Sequence, residues 1–406
     1  MISTPASGEV SGEVSDEGAV RAEPPLAGVR VLDLSWLMVG PFSVRYLTDL
    51  GADVIKIESS TRTDPLRTLP PFRNGRPDPE RSLAYHFINA GKRSVDLDLA
   101  SPQGRDIALE LAEQADVVVE SFTPGVVDRL GLGYDDIRRR SPDIIMVSTN
   151  VAGRAPFGPE RSGVGTLGAA MSGAMHLVGY PDEPPTGPFG PWTDAIAPRF
   201  IVPSVLAALR RRARTGEGCY IEVSQAEAGI QLVLPALFDY LANGTVTPPA
   251  GATPDHSRSP CGLYPCAGHD RWVAIDAAPG RQWEALQAAV GPPLDEHRYR
   301  TLLGRLRERD HLDTAIATWT RDQEAHGVET RLQSAGVPAH VVSSAADLHE
   351  DPHILATYLA PVSDPLLGDV QLTRPQFTLE RSPLVPVKRG PRTGEHTAEV
   401  LRDLRL

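Results

Sequence analysis

The alternation of short β-branched runs with helical segments in the first 150 residues is what most constrains this chain. Residues 29–34 read Val-Arg-Val-Leu-Asp-Leu, a strand pattern. A loop over 35–41 follows, then helical spacing from Phe42 to Leu50 that stops at Gly51. Residues 53–58, Asp-Val-Ile-Lys-Ile-Glu, are the next strand. A strand, a helix and a strand so joined make a right-handed crossover, which requires parallel pairing. The pattern recurs, with strands at 94–99, 116–120 and 143–148 and helices at 102–114, 126–130 and 134–140. Ser101 and Pro102 mark the start of the first of these helices. The spacing predicts a doubly wound α/β domain.

Beyond residue 150 the pattern predicts a loop at 151–163, a small-residue helix at 166–177, a long helix at 195–212, a strand at 220–223 and a helix at 225–241 capped by Ser224. Arg210, Arg211 and Arg212 lie where a helix C-terminus favours cations. Composition shifts to Gly, Pro, Thr and Ser over 243–262. A strand at 272–276 and four helical segments between 281 and 334 then form a smaller α+β domain. The boundaries expected are a disordered tail at 1–25, a large domain at 26–244, a small domain at 245–345, and a return to the large domain at 346–406.

A net charge of −12 argues against a general nucleic-acid or anionic-membrane binder. No stretch reads as a signal peptide or a membrane span. Cys219, Cys261 and Cys266 lack zinc-ligand spacing and the histidines are scattered, so no metal and no permanently bound cofactor is expected. Such cysteine usage suits a reducing cytoplasm.

Four segments carry candidate chemistry. Gly179-Tyr-Pro-Asp-Glu-Pro-Pro185 places Asp182 in a proline-stiffened turn, where a carboxylate is either a nucleophile or a plain turn residue. Gly163-Val-Gly-Thr-Leu-Gly168 matches G-x-G-x-x-G, but it does not follow a strand directly, which favours close helix packing over phosphate binding. Gly91-Lys-Arg-Ser94 offers two cations before a strand, either for a phosphate or as a solvated loop. Ser35-Trp-Leu-Met-Val-Gly-Pro41 follows the first strand, where open α/β sheets bind ligands. Asp194 reads as the N-cap of the long helix.

The order of motifs resembles the family III CoA-transferases, the group that includes formyl-CoA transferase, carnitine CoA-transferase and α-methylacyl-CoA racemase. The resemblance runs through residues 26–34, Gly40-Pro41, 50–58, 92–98, 115–120, Pro124-Gly125, 130–133, 214–218, 335–338 and 394–396. It implies a large Rossmann-like domain built from both ends of the chain, a small domain between them, and two interlocked subunits, either identical or paralogous. It implies an acyl-CoA and a carboxylic acid as substrates. Asp182 is matched to the family nucleophile, which would pass through an acyl anhydride and an aspartyl-CoA thioester. CoA contacts are matched to Trp36, Leu37, Met38, Val39, Ser59, Lys92, Arg93 and Asn150. Asn150 stands at a loop position that often carries a polar or basic CoA contact, residues 251–262 are not the expected glycine-rich shield, and Glu183 follows Asp182 where Gly is common; for racemisation, Val164 stands at the position of the histidine that partners Asp194. Racemisation using Asp194, and a non-catalytic subunit of a larger transferase, are the alternative readings.

Overall fold

The computed structural model describes residues 23–153, 163–249 and 257–404. Most of the expected tail, the loop at 154–162 and the segment 250–256 lie outside the described residues. Six strands form one wholly parallel sheet: β1 (Arg30–Asp33), β2 (Asp53–Glu58), β3 (Arg93–Asp96), β4 (Val117–Glu120), β5 (Ile145–Asn150) and β6 (Cys219–Ser224). Their order, β3-β2-β1-β4-β5-β6, is that of a doubly wound sheet. It reverses between β1 and β4, so a crevice opens there at the carboxyl ends of the strands.

Alternate residues of each strand enter opposite cores. Leu32, Ile55, Ile57, Val118 and Met146 face one layer of helices, which includes Pro102–Glu113. Val31, Val54, Val117, Val119 and Val147 face the other, which includes Val39–Asp49 and Pro198–Thr215. Strands covered on both sides read as nearly continuous apolar runs, which made them recognisable.

The structure departs from expectation at several breaks. The strand expected at 94–99 is shorter, Arg93–Asp96. The helix expected at 166–177 is two, Gly165–Met171 and Ala174–Leu177, separated by Gly173 at φ +82°. That conformation ends a helix and suits glycine. The helix expected from 195 begins earlier as Trp192–Ile196 and restarts at Pro198, a residue favoured at a first helical turn.

A second core forms where β7 (Cys261–Pro265), β8 (Trp272–Asp276) and β9 (Ala339–Val341) pair antiparallel in that order. Trp283, Leu286, Leu312, Ile316, Val328 and Leu332 from three helices cover it. The stretch after 350 holds helix Pro352–Thr357 and a hairpin of β10 (Leu359–Asp364) and β11 (Gly368–Thr373). The chain then runs back to the parallel sheet. Gly390 N–H donates to His86 O at 3.2 Å, His396 N–H donates to Ser94 O at 2.9 Å, and Val400 joins the first core.

Candidate active site

The loop after β1 crosses the switch point and is pinned to the loop after β4. Trp36 N–H donates to Ser121 Oγ at 3.0 Å. Two cavities meet there. The larger, about 420 Å³, is lined by Trp36, Leu37, Met38, Val39, Asn150, Val164, Gly165, Asp194 and Gln225 among others. The smaller, about 220 Å³, is lined by Trp36, Ser59, Arg62, Phe122 and residues 97–100 among others. Trp36 and Thr123 belong to both. The Trp36 ring meets Phe122 edge-on at 5.9 Å, and the Arg62 guanidinium lies 5.3 Å from the Trp36 ring centre. Together they offer a long slot that is aromatic and cationic at one end and apolar at the other.

Asp194 is the carboxylate in the larger cavity. It is the third residue of the short helix Trp192–Ile196 and is 6% exposed. Burial pushes its pKa up to about 6, although the backbone N–H groups of Val39 and Gly165 donate to it and pull the other way. Val39 opens the helix Val39–Asp49, whose own N-cap, Met38, supplies no side-chain cap. A carboxylate at such a helix start is favoured by the exposed N–H groups.

The glycines of the G-x-G-x-x-G segment explain how the acid is held. A methyl group on Gly165 would overlap the Asp194 carboxylate, and one on Gly168 would collide with Thr193. Thr193 is fully buried, its Oγ within 2.9 Å of Gly165 O and 3.0 Å of Gln225 Oε1. The motif is therefore a close-packing surface between two helices, as its distance from the preceding strand suggested.

The candidates from the sequence divide sharply. Trp36, Leu37, Met38, Val39 and Asn150 come together around the larger cavity, and Ser59 lines the smaller one. Asn150 Oδ1 accepts from the N–H groups of Ala152 and Gly153 at 3.2 and 2.7 Å. This leaves Nδ2 buried without a partner among the described residues. Lys92 is elsewhere. Its buried Nζ donates to Asp33 Oδ2, Pro41 O and Asn89 Oδ1 at 2.8–2.9 Å, and burial lowers its pKa to about 8. Arg93 forks onto Asp53 and reaches Glu399. Neither lines either cavity; parallel pairing sets both against carboxylates of β1 and β2.

Asp182 is also elsewhere. It occupies an exposed turn at φ +66° and is not among the residues lining the cavity. Asp tolerates the left-handed region in turns, so the prolines frame a surface bend there. Asp194, read from the sequence as a helix cap and as the acid of the alternative racemisation, is the buried acid of the cavity. Sequence reasoning also missed Arg62, Gly165 and Gln225. The glycine spacing was a signal for Gly165, whereas Arg62 had none.

The switch point of the parallel sheet thus carries a cavity that is apolar around a buried acid and a neighbouring one that is aromatic and cationic. The sequence matches CoA-transferase family III over residues 26–397, and the chain belongs to that family. It is similar to succinyl-CoA–D-citramalate CoA-transferase of Chloroflexus aurantiacus, 31% identical over 95% of this chain and 95% of the relative. Succinyl-CoA:mesaconate CoA-transferase of Haloarcula marismortui is 32% identical over 93% of this chain and 95% of its own length. The crystal structure of a CaiB/BaiF family protein from Brucella suis superposes with a TM-score of 0.85 at 27% identity, covering 94% of this chain and all of that one.

Proposed function

We propose that this enzyme moves coenzyme A from an acyl-CoA thioester to a carboxylic acid, with Asp194 rather than Asp182 as the nucleophile. The observation that carries this reading is the burial of the Asp194 carboxylate against Gly165 and Val39, in the cavity that receives the loop matched to CoA contacts. The carboxylate attacks the thioester carbonyl, the C–S bond breaks, and CoA thiolate leaves an aspartyl anhydride. Thiolate then attacks the aspartyl carbonyl and releases the donor acid, giving an aspartyl-CoA thioester. The acceptor carboxylate displaces thiolate from it to form a second anhydride. Thiolate attacks the acceptor's carbonyl, and the new acyl-CoA departs with Asp194 regenerated. The barrier is divided between covalent intermediates. Each tetrahedral oxyanion needs an oriented donor, and Asn150 Nδ2 supplies one without breaking an existing bond.

Succinyl-CoA is the donor to try first, since both curated relatives carry it in their names. Incubation with a panel of mono- and dicarboxylic acids, read by mass spectrometry of the CoA esters, tests the reading. Formation of a new acyl-CoA supports it; hydrolysis alone with every acid counts against it. Racemisation is disfavoured because Val164 lines the cavity where a second base is required. The interlocked dimer belongs to the same proposal. It is supported by Leu232, Leu237, Phe238, Tyr240 and Leu241, exposed along the helix Gln225–Asn243.

Two variants probe the ends of the slot. Gly165→Ala forces the Asp194 carboxylate aside. A displacement of about 1 Å costs on the order of 100-fold in turnover, so kcat is expected to fall by that factor with the circular dichroism spectrum unchanged. Arg62→Ala removes the cation from the nucleotide end. The KM for acyl-CoA is expected to rise about tenfold, the value of one charge-assisted hydrogen bond. The KM for an acyl-pantetheine, which lacks the nucleotide, is expected to stay near the wild-type value.

A further inference from the structure

We propose that Asp64 is a positioning residue for the CoA slot, acting by holding Leu37 in a left-handed backbone conformation. The inference rests on the reading of this slot as the CoA site. Leu37 has φ +61°, a region that bulky side chains avoid. It lies between Trp36, which borders both cavities, and Met38, and all three line the larger one. Backbone held in this way at a ligand site needs surroundings that over-determine it.

Those surroundings converge on one buried carboxylate. Asp64 is 1% exposed, and its Oδ1 accepts from Leu37 N–H at 3.1 Å and from Leu66 N–H at 2.9 Å. Its Oδ2 pairs with the fully buried Lys56 Nζ at 3.2 Å, and the same Nζ donates to Ser35 O at 2.7 Å. Asp33 accepts from Ser35 N–H at 3.0 Å and binds Lys92, which donates to Pro41 O at 2.8 Å. Both ends of the 35–41 loop are thus anchored; in its middle Ser121 Oγ holds the Trp36 N–H and C=O at 3.0 and 3.1 Å, and Asp64 takes the N–H of the strained Leu37 itself. Without that grip Leu37 relaxes toward negative φ, and Trp36 and Met38 turn out of the slot.

The test is a double-mutant cycle on the full chain, read as the Kd for free CoA by titration calorimetry. Asp64→Ala is expected to weaken CoA binding about tenfold, the scale of one strained residue's conformational cost. Glycine takes positive φ without strain, so in a Leu37→Gly background the same Asp64→Ala change is expected to cost less than about threefold. Equal losses in both backgrounds, or no loss in either, overturn the proposal. If Asp64→Ala does not fold, Leu37→Gly and Leu37→Ala decide it. Both truncate the side chain, but Leu37→Gly is expected to melt higher, and the reverse order overturns the proposal. The readout needs no turnover. A protein that binds CoA in an Asp64-dependent manner but transfers none therefore sinks the transferase mechanism and leaves this inference standing.

Discussion

Asp194→Asn is expected to abolish CoA transfer, by about 10⁴-fold or more in kcat, because among the described residues no other carboxylate lines the cavity to form the covalent intermediates. The variant is also expected to be more stable than the wild type at neutral pH. Burial raises the folded pKa of Asp194 from 3.8 to about 6. A raised pKa favours the folded state while the group is protonated. That contribution is complete below about pH 4 and is lost as pH rises through 6. Above pH 6 the wild type therefore bears the cost of a buried charge, about 3 kcal/mol for a shift of this size, and the neutral amide does not. The gap between the two melting temperatures is expected to open between pH 4 and 6 and then remain constant. In the wild type, kcat/KM is expected to fall about tenfold per pH unit below 6, as the nucleophile protonates. A loss of activity with a melting gap that ignores pH would detach Asp194 from the chemistry assigned to it.

The second large effect concerns the frame. Arg67→Met is expected to destabilise the protein by about 3–5 kcal/mol, the cost of leaving a buried charge without its partner. Arg67 Nε and Nη2 each donate to Glu58 at 2.8 Å, both residues being almost wholly buried. Burial alone pushes the Glu58 pKa up, but Arg67 offsets this and holds it below the usual carboxylate value. Tyr85 Oη and Ser94 Oγ complete the site at 2.7 and 2.8 Å. A depressed pKa stabilises the fold above the ordinary glutamate range, and that stabilisation is lost as pH falls through the folded value. In Arg67→Met the largest opposition to burial is lost, leaving Lys56 and the Tyr85 hydrogen bond, so the deficit is expected to be largest at alkaline pH and smaller near pH 4. Arg67 Nη2 also donates to Pro391 O at 3.0 Å, which ties the returning C-terminal segment to the sheet. Denaturant unfolding measures the deficit. Limited proteolysis is expected to cut near residue 391 sooner in the variant, and adding Glu58→Gln is expected to restore part of the stability.

The sheet was legible because parallel strands buried on both faces leave uninterrupted β-branched runs such as Val117, Val118 and Val119. The loop after β1 was legible because the carboxyl end of a strand is where such sheets bind ligands. Helix ends were less so. Gly173 and Pro198 divide segments whose apolar spacing looks continuous. The acid in the cavity was the least legible feature, and the cause is non-local. The burial of Asp194 depends on Gly165, twenty-nine positions away in sequence, whereas the stiffness of the Asp182 turn is local and visible. The surroundings of Lys92 and Arg93 were hidden in the same way. Read along the chain they look available, but the register β2–β3 aligns Arg93 with Ile55 and brings its side chain onto Asp53, and Lys92 reaches across to Asp33. Arg62 gained its place from a loop that folds back over Trp36.

The most direct measurement is covalent trapping. The protein is incubated with succinyl-CoA, quenched with hydroxylamine, digested with trypsin and sequenced by fragmentation mass spectrometry. Asp182 and Asp194 share one tryptic peptide, since neither Lys nor Arg occurs between Arg161 and Arg199, so fragmentation must locate the modified residue. A hydroxamate on Asp194, absent without the thioester, is the expected result. A hydroxamate on Asp182, or an unmodified peptide in a preparation that is transferring CoA, would contradict the account.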